Sequence, residues 1–249
     1  MKALSLAAVF AAGLALPAAA LDLSSLTDDE RAAFRDEVRA YLLEKPEVLM
    51  EAIAVLESRQ EQAQVANDAT LIAANAADLF ESEADWVGGN PEGDVTIVEF
   101  VDYRCTYCRK AYPEVNELIE SDGNIRLVLK EFPILGEQSV ASSRMALATK
   151  LALGDDAYEK VHDALITFRG EVNPLSVKAL ASDLDLDAEA ILAKMDAPEI
   201  DAILAQNHAL AQRMQISGTP TFVVGEQMLR GYLPLAGMRN VVAEERDGG

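Results

Sequence analysis

Apolar residues recur at helical spacing through the first third of the chain. In "LTDDERAAFRDEVRAYLLEK", Phe34, Val38, Tyr41 and Leu42 fall three or four positions apart, the period of one helix face. Thr27, with Glu30 three positions on, is a capping-box pattern that starts the helix. Pro46 ends it and can serve as the first residue of the next. That next segment runs from Glu47 to Phe80 with neither Gly nor Pro. Leu49, Ile53 and Leu56 form its stripe, which fades after Gln60 into Ala, Gln and Asn. Residues 21–85 thus read as helical throughout. A long, thinly apolar helix is marginal alone and needs a partner. The partner is either its own globular domain or further copies of itself. Self-association is favoured, although the stripe spans too few turns to define a coiled coil.

The pattern then changes. "GGNPEGD", residues 88–94, clusters turn formers and marks the clearest boundary. "VTIVEFVDY" reads as a strand apolar on both faces, as in a central parallel strand. "CTYCRKAYPEVNELIE" reads as helix and "NIRLVLKEFPI" as a second buried strand. Residues 139–214 carry helical segments broken near Gly154, Gly170–Pro174, Asp183–Asp187 and Pro198. "GTPTFVVGEQMLRG" supplies a turn and a β-hairpin with Gly225 and Glu226 at its tip, and "PLAGMRNVVAEE" closes as helix. The predicted order is β-α-β, a helical block, then β-β-α: an α/β chain with no internal repeat.

Composition adds a compartment and removes partners. Residues 1–20 have Lys2, an uncharged apolar run from Leu4 to Leu16, and Ala18-Ala19-Ala20. This is the pattern of a cleaved secretory signal peptide. The run is shorter than the roughly 20 residues a spanning helix needs. The formal charge of −21 disfavours nucleic acid and anionic membranes as partners.

The chain has only two cysteines, Cys105 and Cys108, in "FVDYRCTYCRKAYPEV". A disulfide closing so short a loop removes little chain entropy, so chemistry explains the pair better than stability. Cys105 would sit where a strand enters a helix. The free N–H groups and the helix dipole there favour an anion, which lowers a thiol pKa. Arg104, Arg109 and Lys110 add positive charge. Cys108, one turn further in, would be less exposed and could resolve a mixed disulfide. Zinc needs about four ligands, and no second cysteine pair exists. His162 and His208 read as helix-surface or packed residues rather than ligands. Cu(I) on two thiolates stays open. Glu99 shares a strand face with Ile97 and Val101. Partial burial would raise its pKa and suit proton transfer with Cys108, unless it lies at a wet strand end. Lys130 is a weaker candidate for pairing with Glu99. By itself Pro220 reads as an ordinary trans loop proline; a cis proline there would hold a tight turn and leave the backbone of Thr219 free to pair with an extended chain.

Residues 95–249 resemble the thioredoxin superfamily, and within it the DsbA-like branch. The resemblance rests on Cys105 and Cys108, on Pro113 in the following helix, on Glu99, on "LKEFPILG", and on "GTPTF" with Pro220. It implies a thioredoxin fold with an inserted helical domain, a cis Pro220, and disulfide exchange with protein substrates. "AYLLEKPEVLMEAI" is similar to the N-terminal helical region of exported ScsC-like and Com1-like relatives, some of which trimerise and act as isomerases or reductases. Thr106 and Tyr107 depart from the Pro-His of DsbA itself. With Thr219 before the proline, they imply a milder oxidant.

The chain is expected to divide into three regions. Residues 1–20 form a signal peptide, 21–87 an N-terminal helical oligomerisation region, and 88–249 a DsbA-like domain with a helical insertion at about 139–214. The protein is a periplasmic thiol–disulfide oxidoreductase of isomerase or reductase type. Cys105 is the nucleophile, Cys108 the resolving thiol and Glu99 the proton-transfer group. Thr106, Tyr107, Thr219 and Pro220 face the substrate. No cofactor and no metal are implied. Partners are cysteine-containing proteins, an unidentified periplasmic or membrane redox partner, and copies of the chain, a trimer being favoured. The alternatives are a monomeric DsbA-type oxidase and a periplasmic Cu(I)-binding or chaperone protein.

Overall fold

The computed structural model describes residues 26–248; the expected signal peptide lies outside them. The described residues fall into two compact units divided after Arg59. The first holds α1 (Asp28–Glu44) and the start of α2 (Glu47–Ala74). The capping box of α1 is formed: the Thr27 N–H donates to Glu30 at 2.9 Å, and the Glu30 N–H donates to the Thr27 hydroxyl at 3.4 Å. No residue of α1 is buried. Phe34, Tyr41, Leu49, Ile53 and Leu56 all remain exposed.

The second unit is built on a five-stranded sheet in the order β1-β3-β2-β4-β5. β2 (Val95–Val101) and β3 (Ile125–Glu131) are parallel neighbours joined through α4 (Thr106–Asp122). The other strands, β1 (Trp86–Gly89), β4 (Thr221–Val224) and β5 (Gln227–Arg230), pair antiparallel. Between β3 and β4 lie α5 (Glu137–Leu153), α6 (Asp155–Thr167), α7 (Pro174–Asp183), α8 (Ala188–Lys194) and α9 (Pro198–Arg213). α10 (Leu235–Gly248) closes the chain. This is the thioredoxin arrangement with a helical insertion that the sequence predicts.

Alternation along the strands builds two cores, because successive side chains point to opposite faces. Ile97, Val101, Leu127, Leu129, Phe222 and Val224 face α4, α10 and the helical block. Val98, Phe100, Val128 and Val223 face the other way, onto Ile72 of α2, Leu79 of α3 (Ala76–Phe80) and Leu210 of α9.

Two local expectations give way. The helical run stops at Phe80 rather than 85, with a break at Asn75 that separates α2 from α3. Gly88 and Gly89, read as turn residues, belong to the edge strand β1. The glycine at 88 has another purpose: a Cβ there would fall 2.0 Å from the Trp86 ring, so its absence lets the indole lie along the strand. The ring stacks on Tyr158 at 5.7 Å.

Candidate active site

Asp102 shapes the loop between β2 and α4. Its carboxylate accepts from the N–H groups of Arg104 (2.8 Å), Ile134 (2.8 Å) and Leu135 (3.1 Å). Its carbonyl accepts from the Cys105 N–H at 3.0 Å. These bonds set Cys105 as the N-cap of α4, with extended backbone at φ −72°, ψ 121°. The neighbouring cations brace the loop. The Arg109 guanidinium donates to Tyr103 O and Phe168 O, both at 2.7 Å, and Arg104 donates to Gly170 O at 2.8 Å. Lys110 sits 4.0 Å above the Tyr232 ring.

Both thiols are free. Cys108 is fully buried. The Cys105 thiol donates to Thr219 O at 3.1 Å. Its pKa is lowered to about 5, mainly because the Cys108 thiol hydrogen-bonds to its sulfur. Burial opposes this, while the Thr219 side chain and the N–H groups of Cys108 and Tyr107 add to it. The Cys108 thiol moves far upward, first through its bond to Cys105 and then through its burial and the charges of Glu99 and Cys105. One sulfur is thus held as an anion and the other as a thiol.

Glu99 is 5% exposed. Its carboxyl is pushed up to about 8 by burial first, then by the charges of Cys105 and Glu131. No hydrogen bond reaches that carboxyl among the described residues. Lys130 is not its partner. β2 and β3 align Glu99 with Leu129 and Phe100 with Lys130, so Lys130 points to the opposite face. There its ammonium meets Asp85 and the Asp78 carbonyl.

The Thr219–Pro220 peptide is cis. Thr219, whose carbonyl meets the Cys105 thiol, is half-buried, and Pro220 is buried. A groove of about 240 Å³ runs along residues 217–221 to Arg230 and Gly231. The Arg230 guanidinium holds Asp68 of α2 in a two-point pair of 2.6 and 2.8 Å. Thr106 and Tyr107 are exposed, and Tyr107 stacks on Tyr232 at 6.5 Å. The structure therefore gathers Cys105, Cys108, Glu99, Thr219 and Pro220 around one point, with Thr106 and Tyr107 on its outer rim.

Sequence reasoning passed over Asp102, Tyr103, Glu131 and Tyr158. The available signals were an acidic residue and a tyrosine just before the first cysteine, and a Glu ending an apolar strand. His162 is packed, as read, with Nδ1 3.0 Å from the Tyr103 hydroxyl. His208 lies against Phe132, ring centres 4.9 Å apart. Among the described residues, no group of three or more His, Cys, Asp or Glu is placed to hold a metal. None of their helices is long and apolar enough to cross a membrane.

Comparison with known proteins agrees with this geometry. Residues 96–243 match the DSBA-like thioredoxin domain. Residues 30–63 match the copper resistance protein ScsC N-terminal domain. A thioredoxin-like oxidoreductase from Silicibacter pomeroyi DSS-3 is 42% identical, with a TM-score of 0.65 over 70% of this chain and 98% of that one. Salmonella enterica Typhimurium BcfH is 28% identical, with a TM-score of 0.71 over 88% of this chain and 96% of that one. Na(+)/H(+) antiporter NhaA 1 of Salinispora arenicola is 32% identical over 152 residues, 61% of this chain and 23% of that protein. The chain spans about a quarter of the length of the first curated relatives it matches.

Proposed function

Because the chain belongs to the DSBA-like thioredoxin domain family of thiol–disulfide oxidoreductases, we propose that it exchanges disulfides with exported protein substrates as an isomerase or reductase. The observation that carries this reading is the placement of the two sulfurs: Cys105 caps α4 with its thiol on the Thr219 carbonyl at 3.1 Å, next to the cis Pro220, while Cys108 one turn in is fully buried.

In the reductive direction the Cys105 thiolate attacks a substrate disulfide. A Cys105–substrate disulfide forms, and the released substrate thiolate takes a proton from solvent. Cys108 gives its proton to ionised Glu99 by way of a bridging water and attacks Cys105, which closes the Cys105–Cys108 disulfide and frees the second substrate thiolate. Two electrons move from the dithiol to the substrate. In the oxidative direction the protonated Glu99 returns a proton to Cys108 as it leaves. A carboxyl near 8 serves both directions close to neutral pH. The substrate chain lies along Thr219 and Pro220, with Thr106 and Tyr107 beside it.

A Cys105 near 5 lies between the values of about 3.5 for DsbA and about 7 for thioredoxin. That position supports a milder oxidant. The N-terminal match and the exposed apolar stripe from Phe34 to Leu56 support a trimer, which presents several dithiols to one misfolded client. The protein is exported to the periplasm and recharged there by a redox partner.

The test is repair of scrambled ribonuclease and reduction of insulin by the mature protein, with Cu(I) titration of its reduced form alongside. Repair that disappears in Cys105→Ser supports the reading. Tight stoichiometric Cu(I) binding with negligible repair and reduction favours a copper-handling protein instead. Dithiol oxidation without repair favours a one-way oxidase.

A further inference from the structure

Buried polar groups outside the mechanism gather on the same sheet face as Glu99. Strand register aligns Val101 with Glu131 and Glu99 with Leu129, so the two carboxylates lie two positions apart on one face of neighbouring strands. Glu131 is 1% exposed. Its Oε1 accepts from the Tyr103 hydroxyl at 2.7 Å and the Tyr158 hydroxyl at 2.6 Å. Among the described residues its Oε2 makes no hydrogen bond of ordinary geometry, although the Ser143 hydroxyl on α5 lies close enough to favour its charged form. Tyr103 precedes Cys105 by two residues and also contacts His162. Asn207 of α9 donates to the Glu131 carbonyl at 3.0 Å. One residue thus fastens the end of β3 to the active-site loop, α6 and α9.

That fastening does not call for a charge. A glutamine oxygen would accept both tyrosines, and a buried carboxylate without a cation is costly. Glu131 makes no ion pair among the described residues. The groups facing it are Tyr103 and Asp102 from the loop after β2, Glu99 from β2, Tyr158 and His162 from α6, and Ser143 from α5. Cys105 and Cys108 of α4 lie beyond Glu99, and Arg109 faces Asp102. Burial pushes Glu131 up to about 7, and its charge in turn helps raise Glu99. Burial also holds His162 neutral, near 4. Two carboxyls thus share one sheet face, each raised by burial, and among the described residues neither meets a cation that would fix its state.

We infer that Glu131 is a positioning residue for disulfide exchange: it fastens the loop carrying Cys105 to the helical block, and its charge sets how readily Glu99 takes or gives a proton at Cys108. This rests on reading the chain as a thiol–disulfide oxidoreductase.

The test uses the mature protein carrying a mixed disulfide between Cys105 and a small aromatic thiol. Release of that thiol by Cys108 is followed against pH in wild type, Glu99→Gln and Glu131→Gln. The wild-type profile has a midpoint that Glu99→Gln abolishes. In folded Glu131→Gln, with both tyrosine bonds retained, that midpoint falls by about one pH unit. A purely structural role would change the rate at every pH and leave the midpoint in place, and that result overturns the inference. A midpoint that survives Glu99→Gln overturns it as well. Failure to form any mixed disulfide at Cys105 would remove the parent reading and this one with it. Should Glu131→Gln not fold, carbon-13 NMR of labelled glutamates reads the coupling from the other side. The Glu131 midpoint then moves down in Glu99→Gln relative to wild type, and identical midpoints overturn the inference.

Discussion

The sulfur of Cys105 lies 3.1 Å from the carbonyl oxygen of Thr219, a residue 114 positions further along the chain. The contact joins the helix that lowers the thiol pKa to the loop beside which a substrate strand would lie. It exists only while Cys105 carries its proton. The thiolate gives it up and keeps the donors around it: the Cys108 thiol, the Thr219 side chain and two backbone N–H groups.

Alkylation kinetics test that balance. The Cys105 rate should titrate with a midpoint near 5 and fall about tenfold per pH unit below it. Cys108→Ala removes the largest cause of the shift, so its midpoint rises toward the ordinary cysteine value of about 8.5. An unchanged midpoint in Cys108→Ala would mean that the helix terminus alone holds the anion.

Glu99 makes stability depend on pH with a definite sign. Its folded value of about 8 exceeds its ordinary 4.5, so the folded state binds the extra proton between those limits. Its contribution is fully present below pH 4.5 and is lost as pH rises through 8. Glu99→Gln mimics the protonated form. It should match wild type near pH 4 and exceed it near pH 9 by on the order of 4 kcal/mol in urea unfolding of the reduced protein. Parallel curves for the two proteins would show that Glu99 ionises normally.

His162 acts in the opposite sense. Burial lowers it from 6.5 to about 4, so the unfolded state binds more protons between these values. Its contribution is complete above pH 6.5 and is lost as pH falls through 4. His162→Gln should therefore gain on wild type below pH 6, read as a smaller drop in Tm on acidification. An equal drop would show that the ring is already charged when folded.

Arg230 and Asp68 tie the hairpin behind Pro220 to α2. Asp68 is 4% exposed. Burial alone would raise its pKa, but hydrogen bonds from Arg230 and Gln64 hold it below the usual carboxylate range. Arg230→Ala leaves that carboxylate buried without its cation and should cost about 2 kcal/mol, less than a fully buried pair because Arg230 is partly exposed. Arg230→Ala in an Asp68→Ala background should cost much less. Equal losses in both backgrounds would show that the pair contributes nothing.

The position of a truncation decides what it reports. A cut after Arg59 leaves Ile72, Leu79, Trp86 and Asp85 in place, all buried within the second unit. A cut after Val87 removes Asp85 and strands the buried Lys130 ammonium, a loss of roughly 3–5 kcal/mol. Light scattering is expected to give a trimer for the mature protein and a folded monomer for 60–249. Thermal unfolding should find 88–249 much less stable than 60–249. A monomeric mature protein would remove the trimer from the proposed function.

Features set by neighbours along the chain are legible without coordinates. Helical spacing of Phe34, Val38 and Tyr41, the Thr27–Glu30 cap, the strand running into Cys105 and the hairpin tip at Gly225 are all local. Their periods and turn residues can be read without knowing where the segments go. The same locality explains the misreading at Gly88, where two glycines look like a turn until the Trp86 ring is seen lying across one of them. The charge partners, by contrast, follow from long-range packing. Lys130 follows Glu99 by one parallel strand, yet a register that matches it to Phe100 sends it to the other face and to Asp85. Glu131 and Glu99 share a face for the same reason, and Arg230 finds Asp68 across 162 residues. Strand register and crossover connections fix which buried charges meet, and neither is written in the spacing of any one segment.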